Sequence, residues 1–186
     1  MASRRLRVAA GTARGVPLSQ PRGTRLRPTS GLVREAIFNI VGASAEQARV
    51  LDLFAGTGAL GIEALSAGAA SAVFVEAEAA CCTAILDSLS RTGFAARGTV
   101  VRGRLPAALQ SLSGPFELIL LDPPYDATGV AELLGELRPF AAANATIVYE
   151  HGSRYNPPER PNGLRLTERR VYGDSAVALY SPEEGQ

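Results

Sequence analysis

One stretch, Val50-Leu51-Asp52-Leu53-Phe54-Ala55-Gly56-Thr57-Gly58, restricts the possible folds more than any other. A short apolar run ends in a turn of small residues, and Ala59 to about Ala67 reads as a helix. Strand, glycine turn and helix in that order are how a doubly wound α/β sheet builds a ligand site at the carboxyl end of its first strand. Gly56 and Gly58 can take backbone angles closed to other residues and let a ligand approach closely. The helix start offers unpaired N–H groups to a ligand rich in acceptors.

Two ligands compete for this turn. Gly56-Thr57-Gly58-Ala59-Leu60-Gly61 fits the dinucleotide pattern G-x-G-x-x-G, and Glu76 follows twenty residues after Gly56, where a ribose-binding acid belongs. A dinucleotide would bring a pyrophosphate to this turn, and Asp52, just before the glycines, would repel it. The same carboxylate suits a cation, and S-adenosylmethionine carries both a sulfonium and an ammonium. A tight βα turn with no ligand is the bland alternative.

The rest of the chain repeats the pattern. Strands are expected at Ala72–Val75, Thr99–Val101, Phe116–Leu121 and Thr146–Tyr149, with helices at Ala79–Ser90, Pro106–Leu112 and Val130–Leu137. Phe116–Leu121 is almost wholly apolar, as a central parallel strand covered on both faces should be. Leu164–Tyr172 and Ala176–Tyr180 read as two closing strands. Before the glycine turn, Val33, Ile37, Ile40 and Val41 fall on one face of a helix capped by Thr29 or Ser30. The alternation implies an α/β, three-layer, doubly wound fold with a mostly parallel seven-stranded sheet. In the helix after the second strand, Cys82, Ile85, Leu86 and Leu89 are expected to be buried, the adjacent cysteines acting as small packing groups.

At the amino end, Leu6–Ala10 and Val16–Leu18 flank Gly11-Thr12-Ala13-Arg14-Gly15 and read as a small β-hairpin projecting from the sheet. Net charge is only +1, but its distribution is uneven. Up to Arg34 there are eight arginines and no acid, whereas the remainder carries eleven arginines against eighteen acids. A basic arm on an acidic body suits a polyanion. No run of roughly 18 apolar residues occurs, so no membrane span is expected. No Cys/His spacing suggests a metal. The start lacks the apolar segment of a signal peptide, and a cytoplasmic protein is the consistent expectation.

A second motif, Asp122-Pro123-Pro124-Tyr125, directly follows the apolar fourth strand and faces the same crevice as the glycine turn. The prolines remove N–H groups and stiffen the backbone, leaving the Pro123 carbonyl to point at a ligand. Asp122 adds an acceptor and Tyr125 a flat apolar face with a polar tip. This set suits the exocyclic amine of a planar base.

With these motifs the chain resembles the S-adenosylmethionine-dependent methyltransferases that carry a D/N-P-P-Y/F motif. More narrowly it resembles the RsmD family of 16S rRNA guanine-N2 methyltransferases. The most specific stretch is Leu26-Arg27-Pro28-Thr29-Ser30-Gly31-Leu32-Val33-Arg34-Glu35-Ala36-Ile37-Phe38-Asn39, followed by Asp52 to Ala64, Asp122 to Tyr125 and Val148-Tyr149-Glu150. The resemblance implies a Rossmann-like class I methyltransferase fold, with S-adenosylmethionine as cofactor. Asp52, Phe54, Gly56, Thr57, Gly58 and Asp122 would surround its methionine part, and Glu76 its ribose. Leu105 would hold adenine through its backbone, and Thr29 and Arg34 would close over the ligand. Asp122, Pro123 and Tyr125 would carry the chemistry, and Arg4, Arg5, Arg7, Arg14, Arg25 and Arg27 would hold RNA. The expected partner is 16S rRNA or the small ribosomal subunit, met by a monomer with no metal and no membrane. The expected division is a basic RNA-binding arm over residues 1–28 and a methyltransferase domain over residues 29–186. His151, the single histidine, has no assigned proton transfer and is expected to be structural or on the surface. The alternatives are a DNA adenine-N6 methyltransferase, a nucleotide-dependent oxidoreductase and a non-catalytic ribosome-assembly factor.

Overall fold

The computed structural model describes residues 6–21 and 31–183. Helix α1 (Gly31–Ala45) precedes the alternating part of the chain. There β1 (Arg49–Leu53), α2 (Ala59–Ser66), β2 (Ser71–Glu76), α3 (Ala79–Thr92) and β3 (Gly98–Arg102) build one wing of the sheet. The other wing holds β4 (Phe116–Leu121), α4 (Val130–Gly135), β5 (Ala141–Gly152), β6 (Leu164–Tyr172) and β7 (Ser175–Pro182). The segment expected as a helix before β4 is a 3-10 turn, Ala107–Ser111.

The seven strands lie in the order β3-β2-β1-β4-β5-β7-β6. The first five run parallel, while β7 is antiparallel to both β5 and β6. The chain winds outward from β1 in both directions, so the strand order reverses between β1 and β4. The crevice at that reversal is where an open α/β sheet binds ligands.

Side chains alternate across a strand, so each face of the sheet collects every second residue. Val50, Leu118, Leu120 and Val148 on one face pack with Val33, Ile37 and Val41 of α1 and Leu60 and Leu65 of α2. Leu51, Leu53, Ile119, Leu121 and Ile147 on the other pack with Leu133 and Leu134 of α4. In α3, Cys81, Cys82, Ile85 and Leu89 are buried and both cysteines are free. Leu86 departs from expectation: it is 55% exposed, because the buried stripe turns toward Cys81 and Ser88.

The amino-terminal segment corrects the expected projecting hairpin. It forms one isolated antiparallel bridge, Arg7 to Pro17, supported by N–H bonds from Val8 to the Val16 carbonyl and from Leu18 to the Leu6 carbonyl. Pro17 has no N–H to extend the ladder. The regular hairpin of this fold is at the carboxyl end, between β6 and β7. The segment is also docked rather than projecting. Val8, Ala13 and Leu18 are buried in the core. Thr12 N–H donates to the Ser66 carbonyl at 2.9 Å, Ala13 N–H to Ser66 Oγ at 3.0 Å and Ser19 N–H to Ser88 Oγ at 2.9 Å. Gly11 sits at φ +76°, and a Cβ there would fall 2.0 Å from the Ser66 carbonyl oxygen. Only glycine allows this approach. The expected boundary between arm and domain, residues 28 and 29, lies outside the described residues.

Candidate active site

The glycine turn leaves β1 through a strained backbone. Phe54 takes φ 57°, outside the ordinary range of a bulky residue, and Gly56 and Gly58 take φ 54° and 73°. Strain of this kind persists only where the surroundings enforce it. Here Ala55 N–H donates to the Val75 carbonyl and Gly58 N–H to the Ala55 carbonyl. Asp52 lies buried beneath the turn, its Oδ2 accepting the Gly61 N–H at 2.9 Å. Burial pushes its carboxyl up to about 8, against the pull of that N–H, and nearby Glu76 adds to the rise. Gly61 is needed here, because a Cβ would meet the Phe74 ring at 2.3 Å and Asp52 Oδ2 at 2.9 Å.

Glu76, at the end of β2, is already oriented by backbone. Its Oε2 accepts the Gly56 N–H at 2.7 Å and its Oε1 the Glu78 N–H at 2.8 Å. A carboxylate oxygen has two acceptor directions, so each keeps one for a ligand. Gly103 N–H donates to the Glu76 carbonyl, which places half-buried Leu105 just beyond this acid.

Across the crevice, Asp122 follows β4 and Glu150 lies near the end of β5. The register pairs Leu121 with Tyr149, so Asp122 and Glu150 come next to each other on one face. Burial holds the Asp122 carboxyl well above the usual carboxylate range, with Glu150 and then Asp52 adding to the rise. Tyr125 OH donates to Glu150 Oε1 at 2.8 Å and lies 2.6 Å from Ser175 Oγ. Glu150 is only 3% exposed, whereas Tyr125 is 47% exposed. The tip of Tyr125 is therefore fixed while part of its ring faces outward. Pro123 is buried, and among the described residues no donor meets its carbonyl; the Pro124 carbonyl accepts the Ala127 N–H.

The expected site residues thus divide. Asp52, Phe54, Gly56, Thr57, Gly58, Glu76, Leu105, Asp122, Pro123 and Tyr125 all fall on the strand ends or the loops that leave them. Arg34, expected over the cofactor, is instead buried in an ion pair: its Nε donates to Glu63 Oε1 at 3.0 Å and its Nη2 to the Arg7 carbonyl at 3.1 Å. Ala9 N–H donates to the same Glu63 Oε1 at 2.7 Å, so this pair fastens the amino-terminal segment to α2. Of the arginines expected to bind RNA, Arg14 is exposed and Arg7 Nη1 donates to the Gly15 carbonyl at 2.7 Å. Arg4, Arg5, Arg25, Arg27 and also Thr29 lie outside the described residues.

His151 is buried on the face of β5 opposite Glu150, with Nδ1 2.8 Å from the Gly152 carbonyl oxygen and ring contacts to Tyr149 and Tyr155. Burial lowers its affinity for a proton, which suits packing. Among the described residues no His/Cys/Asp/Glu cluster could hold a metal, and no helix is long and apolar enough to cross a membrane. Sequence reasoning gave no role to Glu150. The signal was an acid at the end of the fifth strand, readable only once β5 is known to lie beside β4.

Comparison with known proteins identifies the family and the fold. The family model described as Conserved hypothetical protein 95 matches residues 6–181. Ribosomal RNA small subunit methyltransferase D of Escherichia coli K12 is 33% identical, over 97% of this chain and 92% of its own. The structure of the E. coli protein yhhF superposes with TM-score 0.82 at 31% identity, covering 96% of this chain and 98% of that one. A hypothetical protein of Thermus thermophilus superposes with TM-score 0.80 at 30% identity, over 95% of this chain and 99% of its own. The chain therefore belongs to the Conserved hypothetical protein 95 family, that of ribosomal RNA small subunit methyltransferase D, and carries the class I methyltransferase fold, whose methyl donor is S-adenosylmethionine.

Proposed function

We propose that this chain methylates the exocyclic N2 of a guanine in 16S rRNA, with the assembled small ribosomal subunit as its substrate and the cytoplasm as its place of action. The observation that carries the reading is the juxtaposition, at one crevice, of two acceptors after β4 with the glycine turn and Glu76. The relatives named for small-subunit RNA methylation supply the substrate class.

The residues present fit the donor. Glu76 would accept both ribose hydroxyls through the lone pairs its backbone donors leave free. Gly56, Thr57 and Gly58 would line the methionine part, and the ammonium would lie near Asp52, drawing the proton from that buried carboxyl. Leu105 would pack against adenine. The bound donor supplies a methyl group made electrophilic by a sulfonium. Asp122 and the Pro123 carbonyl would hold the two N–H groups of the target amine, turning its lone pair toward that methyl. The Tyr125 ring would stack on the base, which must leave its own stack to reach the crevice. Positioning and fixed dipoles carry most of the acceleration in such a site. The amino-terminal arginines would hold RNA phosphates through bidentate contacts.

The test is to map modified nucleotides in small-subunit RNA from cells lacking this protein and to restore them with purified protein and labelled donor. Loss and recovery of a single N2-methylguanine is the expected result. An unchanged RNA, or a methyl group on DNA adenine, would overturn the reading.

A further inference from the structure

The carboxyl-terminal wing of the sheet raises a second structure beside the crevice. β5 runs parallel to β4 and so ends at the same edge of the sheet. β7 is antiparallel to β5 and starts at that edge, with Ser175 opposite Gly152. β6 ends there too, with Tyr172 opposite Ser175. The loop that leaves β5 and the tip of the β6–β7 hairpin therefore stand together next to the crevice. Tyr125 reaches them, its hydroxyl 2.6 Å from Ser175 Oγ.

This edge is held rigid and yet exposed. Arg169 Nη2 donates to the Ser153 carbonyl at 2.6 Å and to the Tyr155 carbonyl at 3.2 Å, which ties the loop to β6. Ser153 N–H donates to the Asp174 carbonyl at 2.8 Å and Tyr155 N–H to the Gly152 carbonyl at 3.0 Å. The Tyr155 ring packs edge-to-face with Tyr149 and His151. Anchored in this way, Tyr155 is still 41% exposed. Val171 pairs with Ala176, and Ala176 with His151, so Val171 shares a face with the ring that Tyr155 packs on. It is 53% exposed. Around the tip, Arg154 is exposed and makes no ion pair among the described residues. Arg169 is held by carbonyls and not by an acid. Arg170 pairs with Glu168, and Asp174 is exposed at the turn.

We infer that this edge, with Tyr155, Arg154 and Val171 at its surface, is a second RNA contact: a platform for unpaired nucleotides that flank the target base. The inference rests on the RNA-methylating function proposed above. A base that enters the crevice leaves its strand neighbours on both sides of it. The amino-terminal segment docks on α2 and α3, which cover β1, β2 and β3. Contacts from that segment hold one side, and the edge beyond β5 lies on the other. An exposed ring with an arginine beside it suits an unpaired strand, because every base has a face to stack and every linkage a phosphate. Two apolar side chains flanked by arginine are too small an area for the core of a protein interface. The loop is already ordered by Arg169, so little freedom is lost when a base stacks on it.

The experiment compares wild type with Tyr155→Ala, Tyr155→Phe and Arg154→Gln. Binding to assembled small subunits and to protein-free small-subunit RNA is measured across a salt series, with calorimetry of S-adenosylhomocysteine as the control for the crevice. Loss of one stacked base should weaken RNA binding by Tyr155→Ala about 10-fold or more. Tyr155→Phe keeps the ring and should bind like wild type. Arg154→Gln should flatten the slope of log affinity against log salt by about 0.7. S-adenosylhomocysteine should bind all four proteins equally. Ultraviolet light should join a peptide from residues 153–172 of the wild type to RNA in the subunit complex, a readout that needs no variant. Absence of that crosslink would overturn the proposal, as would wild-type RNA affinity in Tyr155→Ala or equal losses in Tyr155→Ala and Tyr155→Phe. So would weaker binding to subunits beside unchanged binding to protein-free RNA, which would give the edge to a ribosomal protein. These results strike this inference alone while the wild type still methylates RNA. A wild type that neither binds nor methylates small subunits or their RNA strikes the reading beneath it.

Discussion

Arg34 of α1 and Glu63 of α2 form an ion pair of 3.0 Å in which both side chains are almost fully buried. Glu63 also accepts the Ala9 N–H, and Arg34 donates to the Arg7 carbonyl. The pair therefore joins three segments, one of them the helix that begins at the glycine turn. Removing one partner leaves the other charged and buried, a loss of about 3–5 kcal/mol. Glu63→Ala should lower the unfolding free energy by that order in a urea titration. A paired replacement of Arg34 and Glu63 by Met and Leu should cost much less, and equal losses in both would show that charge isolation is not the cause.

Asp52 predicts a pH dependence. Its folded-state value, about 8, lies above the ordinary 3.8. A group raised in this way gives its full stability below the unfolded value and loses it as pH rises through the folded one. The ligand-free protein should therefore weaken between pH 4 and pH 8 through this residue. Asp52→Asn keeps an acceptor for the Gly61 N–H and cannot ionise. It should match wild type near pH 4 and exceed it at pH 8.5, by at most about 6 kcal/mol. A difference that stays constant with pH would mean that Asp52 is ionised in the fold.

Glu76 predicts a cofactor effect with graded severity. Two charge-assisted hydrogen bonds to a ribose contribute about 3 kcal/mol together, or roughly 100-fold in Kd. Glu76→Ala should lose about that much in calorimetry with S-adenosylhomocysteine. It also frees the Gly56 and Glu78 N–H groups, which the carboxylate now holds. Glu76→Gln retains one acceptor oxygen and should fall between. Wild-type affinity in both variants would move the ribose elsewhere.

The parts of this molecule that local sequence specifies were legible. The glycine turn is a strand-to-helix junction whose backbone angles are set by residues in direct succession. Phe116–Leu121 announced a covered parallel strand by its apolar run, and its bounds agree with β4. What depends on distant pairing was not legible. β5 begins at Ala141, several residues before the expected Thr146, because alanine and asparagine have little strand preference and the extension rests on pairing of Phe116 with Ala141. The docking of the amino-terminal segment depends on Glu63, Ser66 and Ser88, each more than fifty residues away in sequence. Nothing near Leu6–Leu18 signals them. Glu150 gains its meaning only from the register of β4 against β5.

The docked segment changes what the arginine hypothesis predicts. A projecting arm could be altered with no effect on the core, but this one shares Glu63 and Ser66 with the helix that follows the glycine turn. Its backbone is structural, and its side chains must be tested separately. Arg14 is exposed and suits that purpose, together with Arg4 and Arg5 of the same basic run. Each phosphate contact to a single strand contributes about −0.7 to the slope of log affinity against log salt. Replacing these three arginines with glutamine should flatten the slope by about 2 if all three reach phosphate. The KM for RNA or subunits should rise, with S-adenosylmethionine affinity and unfolding free energy near wild type, because the Glu63 and Ser66 bonds are intact. Glu63→Ala should do the reverse, lowering stability first while leaving the arginines in place. An unchanged salt slope in the triple variant would make the segment a structural strap with no part in RNA binding. Lost cofactor affinity in the same variant would mean that the arginine side chains act on the crevice.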